Sequence, residues 1–259
     1  MIQHFPGHMA AALRKLAERI SLADVVIEVR DARLPEMSGN PDLDRVAGNR
    51  PRLIVLGRED LADPVQTHRW LAWYAAQGRR AVAVDGRSQP GVNAARAALA
   101  ELLAGRGPAR AIVVGIPNTG KSALINGLAR RTVARTENKA GVTRQLRWLR
   151  IDPALEIMDT PGIMVPKIAT PTAQWILALT GAVPRARYDP EEIATIFAGW
   201  AATHVPRADV PDLEHFARAR GFVRRGEVLD LHNAAGAYIK GVNDGTFGRL
   251  TFEPAPEAQ

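Results

Sequence analysis

Eight residues from Gly115 to Ser122 read Gly-Ile-Pro-Asn-Thr-Gly-Lys-Ser and fit the pattern G-x-x-x-x-G-K-[ST]. In that pattern the backbone N–H groups of a glycine-rich loop wrap the phosphates of a nucleotide. Pro117, Asn118, Thr119, Gly120, Lys121, Ser122 and Ala123 are the residues expected to line such a cradle. Lys121 would reach the β- and γ-phosphates, and the Ser122 hydroxyl would ligate Mg²⁺. A second constellation, Asp159-Thr160-Pro161-Gly162, lies about forty residues on. There the Asp159 carboxylate is suited to hold Mg²⁺ through water and the Gly162 amide to sense the γ-phosphate. Between the two, Thr143 sits in the glycine-containing stretch Ala140-Gly141-Val142-Thr143, suited to close over the cation and the γ-phosphate.

These groups act only if the chain positions them. Ala111-Ile112-Val113-Val114 is a short apolar, β-branched run of the kind that forms a buried parallel strand. Ala123 to Ala129 reads as a helix with Leu124, Ile125 and Leu128 turned inward. The loop therefore joins a strand to a helix N-terminus, where unpaired N–H groups and the positive dipole end favour phosphate. Upstream, strand-like runs at Val25–Val29, Leu53–Leu56 and Ala81–Val84 alternate with helical patterns at Met9–Ile20, Pro41–Gly48, Pro64–Gln77 and Val92–Ala104. Two more strands, Leu146–Ile151 and Leu155–Met158, follow with a turn at Asp152-Pro153. The pattern predicts an α/β domain with six strands in a mainly parallel sheet.

Composition narrows the partners. No apolar run approaches the length of a membrane span, the N-terminus lacks the pattern of a secretory signal, and there is no cysteine. The expectation is a cytoplasmic protein. The net charge is +7, and it is unevenly placed. Residues 1–171 hold 25 Lys/Arg against 16 Asp/Glu, whereas residues 172–259 hold 9 against 11. The densest basic stretch, Arg130 to Arg150, lies beside the phosphate motif and predicts a polyanionic partner or a solvated face.

The order of motifs is unusual. In a usual GTPase the phosphate loop comes early and the guanine-reading N-K-x-D loop follows it. In this chain about 110 residues with three strands precede the loop, and nothing after Gly162 resembles a reader. A permuted domain would carry its reader after one of the leading strands. Gly57-Arg58-Glu59-Asp60 follows Leu53–Leu56, and Asp85-Gly86-Arg87 follows Ala81–Val84, where a second base-contacting loop would fall.

That order resembles the circularly permuted GTPases of ribosome assembly, and within them the ribosome biogenesis GTPase A type. The stretches that carry the likeness are Phe5-Pro6-Gly7-His8-Met9, Asp31-Ala32-Arg33-Leu34-Pro35, Gly115-Ile116-Pro117-Asn118, Asp159-Thr160-Pro161-Gly162-Ile163, Leu177–Ala182 and Phe247–Leu250. The resemblance implies a permuted P-loop domain followed by a small all-α domain. It also implies a GTP/GDP switch that binds the large ribosomal subunit and contacts ribosomal RNA. The boundaries it suggests are 1–165 for the GTPase domain, 166–171 for a linker and 172–259 for the helical domain. Helical patterns at Thr172–Thr180, Pro190–Ala202, Pro211–Arg220 and Glu227–Lys240 fit that end, while the composition of Glu253–Gln259 predicts disorder. Candidate RNA contacts are Arg144, Arg147, Arg218, Arg220, Arg224 and Arg225. Around Gly221 such cations also suit a helix end.

Three departures bear on mechanism. The reader has Gly57 and Arg58 where the family carries Asn and Lys, and only Asp60 keeps the carboxylate that accepts from guanine N1–H and N2–H₂. Loss of one polar contact costs about 1–3 kcal/mol, which predicts a weakened preference for guanine. Asp85-Gly86 stands in place of the family's small hydroxyl residue, a further loosening; Asp60 could instead be a helix cap. Ile163 occupies the position of a water-orienting Gln. The resemblance implies that His8 positions the attacking water, the alternative being a cap for the first helix. It also implies that Asn118 helps hold K⁺, the alternative being a brace within the loop. Two rivals stay open: an RNA-binding factor gated by nucleotide with negligible hydrolysis, and an NTPase of relaxed base choice.

Overall fold

The structure, a computed structural model, describes residues 6–104, 107–130, 148–160, 170–205 and 210–257, with side chains from Leu13 onward. By contacts it divides into two compact units: Lys167–Phe252, and Phe5–Pro166 together with Glu253–Gln259.

The larger unit is built on six strands: β1 (Val25–Asp31), β2 (Arg52–Gly57), β3 (Arg80–Val84), β4 (Ala109–Val114), β5 (Trp148–Asp152) and β6 (Leu155–Asp159). Their order is β3-β2-β1-β4-β6-β5, with every pair parallel except β5 with β6. This is the six-stranded, mainly parallel sheet that the alternating pattern predicts. Between them run α1 (Pro6–Ile20), α2 (Leu43–Ala47), α3 (Pro64–Ala76), α4 (Gln89–Leu102) and α5 (Lys121–Ala129).

Alternation along the strands sorts the core. Val25, Ile27 and Val29 of β1, Leu53 and Val55 of β2, and Ala111 and Val113 of β4 face α4 and α5, meeting Val92, Leu99, Leu124 and Leu128. The intervening residues Val26, Ile112, Val114 and Met158 face the other way, onto Leu16 and Ile20 of α1 and Leu43 of α2. On that second face Ile54 and Leu56 meet Trp70 and Tyr74 of α3. The central strands are thus apolar on both sides, as a parallel sheet covered on both faces demands.

Beyond the core of that second face lies a buried polar network. Arg30 donates to Glu28 Oε2 at 3.0 Å and to the Tyr74 hydroxyl at 3.0 Å, and it pairs with Glu36. The Tyr74 hydroxyl donates in turn to Glu36 Oε1 at 2.8 Å. Burial raises the Tyr74 hydroxyl well above its ordinary pKa, so it stays a donor.

Of the tail expected to be disordered, the described residues 253–257 are instead anchored on this unit. The Glu253 carboxylate accepts from the Glu36 and Met37 amides at 2.8 and 3.0 Å. Its carbonyl accepts from the Trp70 indole at 2.8 Å, and the Ala255 amide donates to Gln66 Oε1 at 3.1 Å. Composition missed this because a few specific hydrogen bonds, not apolar area, hold the segment. A chain ending at Phe252 leaves the buried Trp70 N–H without that acceptor, a cost of about 1–3 kcal/mol. Its thermal unfolding midpoint is expected to fall by several degrees; an unchanged midpoint would show that the tail adds nothing.

The second unit contains α6 (Pro171–Leu179), α7 (Pro190–His204), α8 (Leu213–Ala219) and α9 (Leu231–Asp244). Thr170, Asp189, Asp212 and Asp230 cap their first turns through the side chain. At its centre Tyr238 packs edge to face with Phe197 and with Phe216, Phe216 does so with Phe247, and Phe247 lies tilted against Phe197 and Tyr238. The last helix begins later than its sequence pattern implies, because Val223 and Leu229 form a β-bridge that holds residues 223–229 as a turn. Asp230 then starts the helix.

Candidate nucleotide site

The sheet reverses its winding between β1 and β4, since β2 and β3 are added on one side and β6 and β5 on the other. In open α/β sheets ligands bind outside the carboxyl ends of strands at such a point. The stretch 115–120, which follows β4, lies there.

Residues 115–120 connect β4 to α5, as the strand–loop–helix signature requires. The turn uses left-handed backbone at Asn118 (φ 65°) and Gly120 (φ 95°). Gly115 (φ 153°) passes so close to the Val29 carbonyl that a Cβ would overlap it. Thr119 is buried and its hydroxyl donates to the Ile116 carbonyl at 3.2 Å. Lys121 opens α5, 8% exposed, and its ammonium donates to the same carbonyl at 2.7 Å. Burial pushes its pKa down to about 8, with the Asp159 carboxylate opposing the fall.

Asp159 ends β6, which lies beside β4 with Val113 paired to Asp159. The next residue, Thr160, is buried and donates to the Val113 carbonyl at 2.7 Å, which fixes the exit of the strand. The Ser122 hydroxyl at the start of α5 and the Asp159 carboxylate at the end of β6 both offer oxygen, the donor chemistry a hard divalent cation takes. The residues present therefore fit Mg²⁺. Thr143, Gly162 and Ile163 lie outside the described residues, as do Arg144 and Arg147. His8 belongs to α1, and its side chain is likewise outside them.

The two loops after β2 and β3 reach the same edge. Gly57 ends β2 against the phosphate loop, where a Cβ would overlap the Thr119 carbonyl oxygen. Arg58 follows in left-handed conformation, and its Nη1 donates to the Asn118 carbonyl at 3.2 Å. Burial lowers its pKa and the neighbouring Arg33 lowers it further, while Asp31 opposes both. Arg58 is the contact that sequence reasoning missed: it was legible only as a substituted Lys, yet it ties one loop to the other. Asp60 sits in a 3₁₀ turn (Glu59–Leu61). It does not cap a helix; that role falls to Asp63, which accepts from the Val65 and Gln66 amides at 2.7 and 3.1 Å. Asp60 Oδ2 accepts instead from Arg87 at 2.8 Å. Asp85 accepts from the Arg87 amide at 2.9 Å, and Gly86 presses on Ala123 and Leu124 in the first turn of α5.

Asp31 and Arg33 form a bidentate pair at 2.9 and 2.8 Å, with Arg33 1% exposed. Asp31 also accepts from the Arg33 amide, and the Ala32 amide donates to the Gly57 carbonyl at 2.8 Å. The pair shapes the turn that supports the Gly57 loop.

Of the helical unit's arginines, Arg218 pairs with Glu214 at 3.3 Å and Arg224 with Asp230 at 2.9 Å, while Arg220 lies over the Phe216 ring. Gly221 (φ 72°) ends α8, with the Phe222 amide donating to the Ala217 carbonyl. Among the described residues no helix is long and apolar enough to cross a membrane.

Comparison with known proteins places this architecture. The family described as 50S ribosome-binding GTPase matches residues 110–185. The chain is similar to ribosome biogenesis GTPase A of Priestia megaterium, with 33% identity over 100% of this chain and 98% of that one. It is also similar to a GDP-bound structure of YlqF (TM-score 0.73, 28% identity, 93% of this chain and 98% of that chain). The GNP-bound structure of YlqF from Thermotoga maritima gives a TM-score of 0.72 at 28% identity, covering 96% of this chain and 100% of that one.

Proposed function

The chain belongs to the ribosome biogenesis GTPase A family and hydrolyses GTP, and on that premise we propose that it is a nucleotide-switched assembly factor of the large ribosomal subunit. In this reading the GTP-bound protein docks on pre-ribosomal RNA in the cytoplasm and leaves as the GDP form. The observation that carries it is the convergence of three loops at one sheet edge: the phosphate loop after β4, the Asp60 loop after β2 and the Asp85 loop after β3. Triphosphate and base can be held at once only if these loops meet.

Each residue has a stated task. The backbone of Pro117 to Ala123 and the Lys121 ammonium hold the phosphates, and Asp60 accepts from the base with Asp85 and Gly86 beside it. Ser122, Thr143 and Asp159 would hold Mg²⁺, the last through water; the cation supplies charge neutralisation on the β- and γ-phosphates. Gly162 senses the γ-phosphate, His8 positions the water, and Asn118 supports K⁺. Lys121 places a positive charge where negative charge grows in the transition state. Because Arg218 and Arg224 are engaged in ion pairs, RNA contact by the helical unit requires them to exchange partners. Such binding falls steeply with salt.

The test is Mg²⁺-dependent hydrolysis of GTP and of ATP, each with and without purified large subunits. Stimulation confined to GTP is the expected result. Tight subunit binding with no turnover of either nucleotide would mean a gated RNA-binding module instead, and equal turnover of both would mean lost base choice.

A further inference from the structure

The base-reading loop lacks the family's Asn amide, since Gly57 has no side chain to supply one. A guanine ring offers two acceptors, O6 and N7, beside its N1–H and N2–H₂ donors. Asp60 is an acceptor only and can serve the donor edge alone. Some group must donate to the other edge if guanine is to be chosen. The structure holds a donor beside Asp60. Arg87 Nη2 lies 2.8 Å from Asp60 Oδ2, so the two loops present a guanidinium and a carboxylate side by side. We propose that Arg87 is a specificity residue of this site, donating to the O6/N7 edge of guanine while Asp60 accepts from N1–H and N2–H₂.

The chemistry is the one by which arginine reads guanine in nucleic acids, a fork of N–H donors facing two acceptors. The Asp60 carboxylate has lone pairs enough to keep Arg87 and accept from the base together. Adenine reverses the pattern, with an amino donor at position 6 facing Arg87 and a bare N1 facing Asp60. Its N7 would still accept, but the two positions that differ both turn unfavourable.

The backbone turn that carries Arg87 is set by its neighbours. Its own amide donates to Asp85 Oδ1 at 2.9 Å, which sets the turn. Gly86 rests against the backbone of Ala123 and Leu124, so the loop is seated on the helix that receives the phosphates. Across the site, Arg58 fastens the Asp60 loop to the phosphate loop through the Asn118 carbonyl. The side chain of Arg87 is 76% exposed, against 25% for Asp60. An ion pair so exposed contributes little to folding, so removing it separates recognition from stability.

The proposal rests on the nucleotide reading above, and the experiment keeps the two apart. Affinities of the full-length protein and of Arg87→Ala would be measured for GDP, ADP, IDP, 6-thio-GDP and 7-deaza-GDP, with thermal unfolding alongside. In the wild type, 6-thio and 7-deaza substitution should each weaken binding. In Arg87→Ala, GDP should bind about tenfold more weakly, with those two penalties gone, the IDP-to-GDP ratio kept and the unfolding midpoint unchanged. Arg87→Ala that binds GDP as the wild type does, or that loses affinity while both analogue penalties persist, overturns the assignment alone. A wild type that fails to bind GDP, or binds ADP equally well, overturns the underlying reading and this one with it.

Discussion

Lys121→Met is expected to leave a folded protein whose affinity for GDP and GTP is lower by about 10²–10³-fold, measured by direct titration. Lys121 is nearly buried at the first position of α5, and its ammonium has one described partner, the Ile116 carbonyl at 2.7 Å. With nucleotide bound, Lys121 would face the phosphates; losing one partner of such a buried charge pair costs about 2–5 kcal/mol, and about 1.4 kcal/mol is a decade of affinity. Methionine fills a similar volume without charge, so the packing around this buried position is kept. The same burial predicts a pH signature. In the free protein the Lys121 pKa is pushed down to about 8 from 10.5, so the folded chain holds that proton less tightly than the unfolded one. Stability of the free protein therefore rises with pH between those two values. Bound phosphates favour the charged form, so binding above pH 8 must take up a proton. Affinity should then be level below about pH 8 and fall above it, opposite in sign to the stability trend. Lys121→Met should show neither dependence at this site. Wild-type affinity that stays flat well above pH 8 would remove Lys121 from phosphate binding.

How much of this was visible beforehand depends on the range of the interaction. Val25–Val29, Leu53–Leu56 and Ala111–Val114 are apolar at every position or nearly so, and a two-sided core is the only environment that accepts such runs. The sheet followed directly from them. The phosphate loop was equally legible, because its glycines and Lys121 act through local backbone geometry. Contacts across loops were not. Arg87 meets Asp60 27 residues away, and Arg58 meets Asn118 60 residues away, distances over which no periodicity carries information. The Glu253 anchor spans more than 210 residues. Its polar, proline-containing segment reads as disordered because composition counts apolar area and does not count hydrogen-bond partners. Asp60 shows the same limit in reverse. As a single residue it could be a cap or a reader, and only the structure shows that Asp63, not Asp60, accepts from the Val65 and Gln66 amides.

Gly57 supplies the second large effect, and its direction runs against the family pattern. Restoring the family's amide by Gly57→Asn is expected to weaken nucleotide binding about tenfold and to destabilise the protein by about 1–3 kcal/mol, the range for overpacking a tight site. Gly57 is paired on both sides, to Asp31 of β1 and to Val84 of β3, and its carbonyl accepts from the Ala32 amide. The backbone there has no free direction in which to move. A Cβ at Gly57 would overlap the Thr119 carbonyl oxygen and touch Val29 Cγ1 at 3.3 Å. Thr119 would have to yield, and it is a buried residue between the left-handed Asn118 and Gly120. A shift there carries the phosphate loop with it, away from the geometry that aims its N–H groups. Gly57→Ala separates the two contributions, since it adds the Cβ without the amide. Both variants should lose affinity, and Asn should not outperform Ala. If Gly57→Asn instead binds GDP more tightly than the wild type, the phosphate loop tolerates the added side chain, and the absent amide alone limits base recognition at this position.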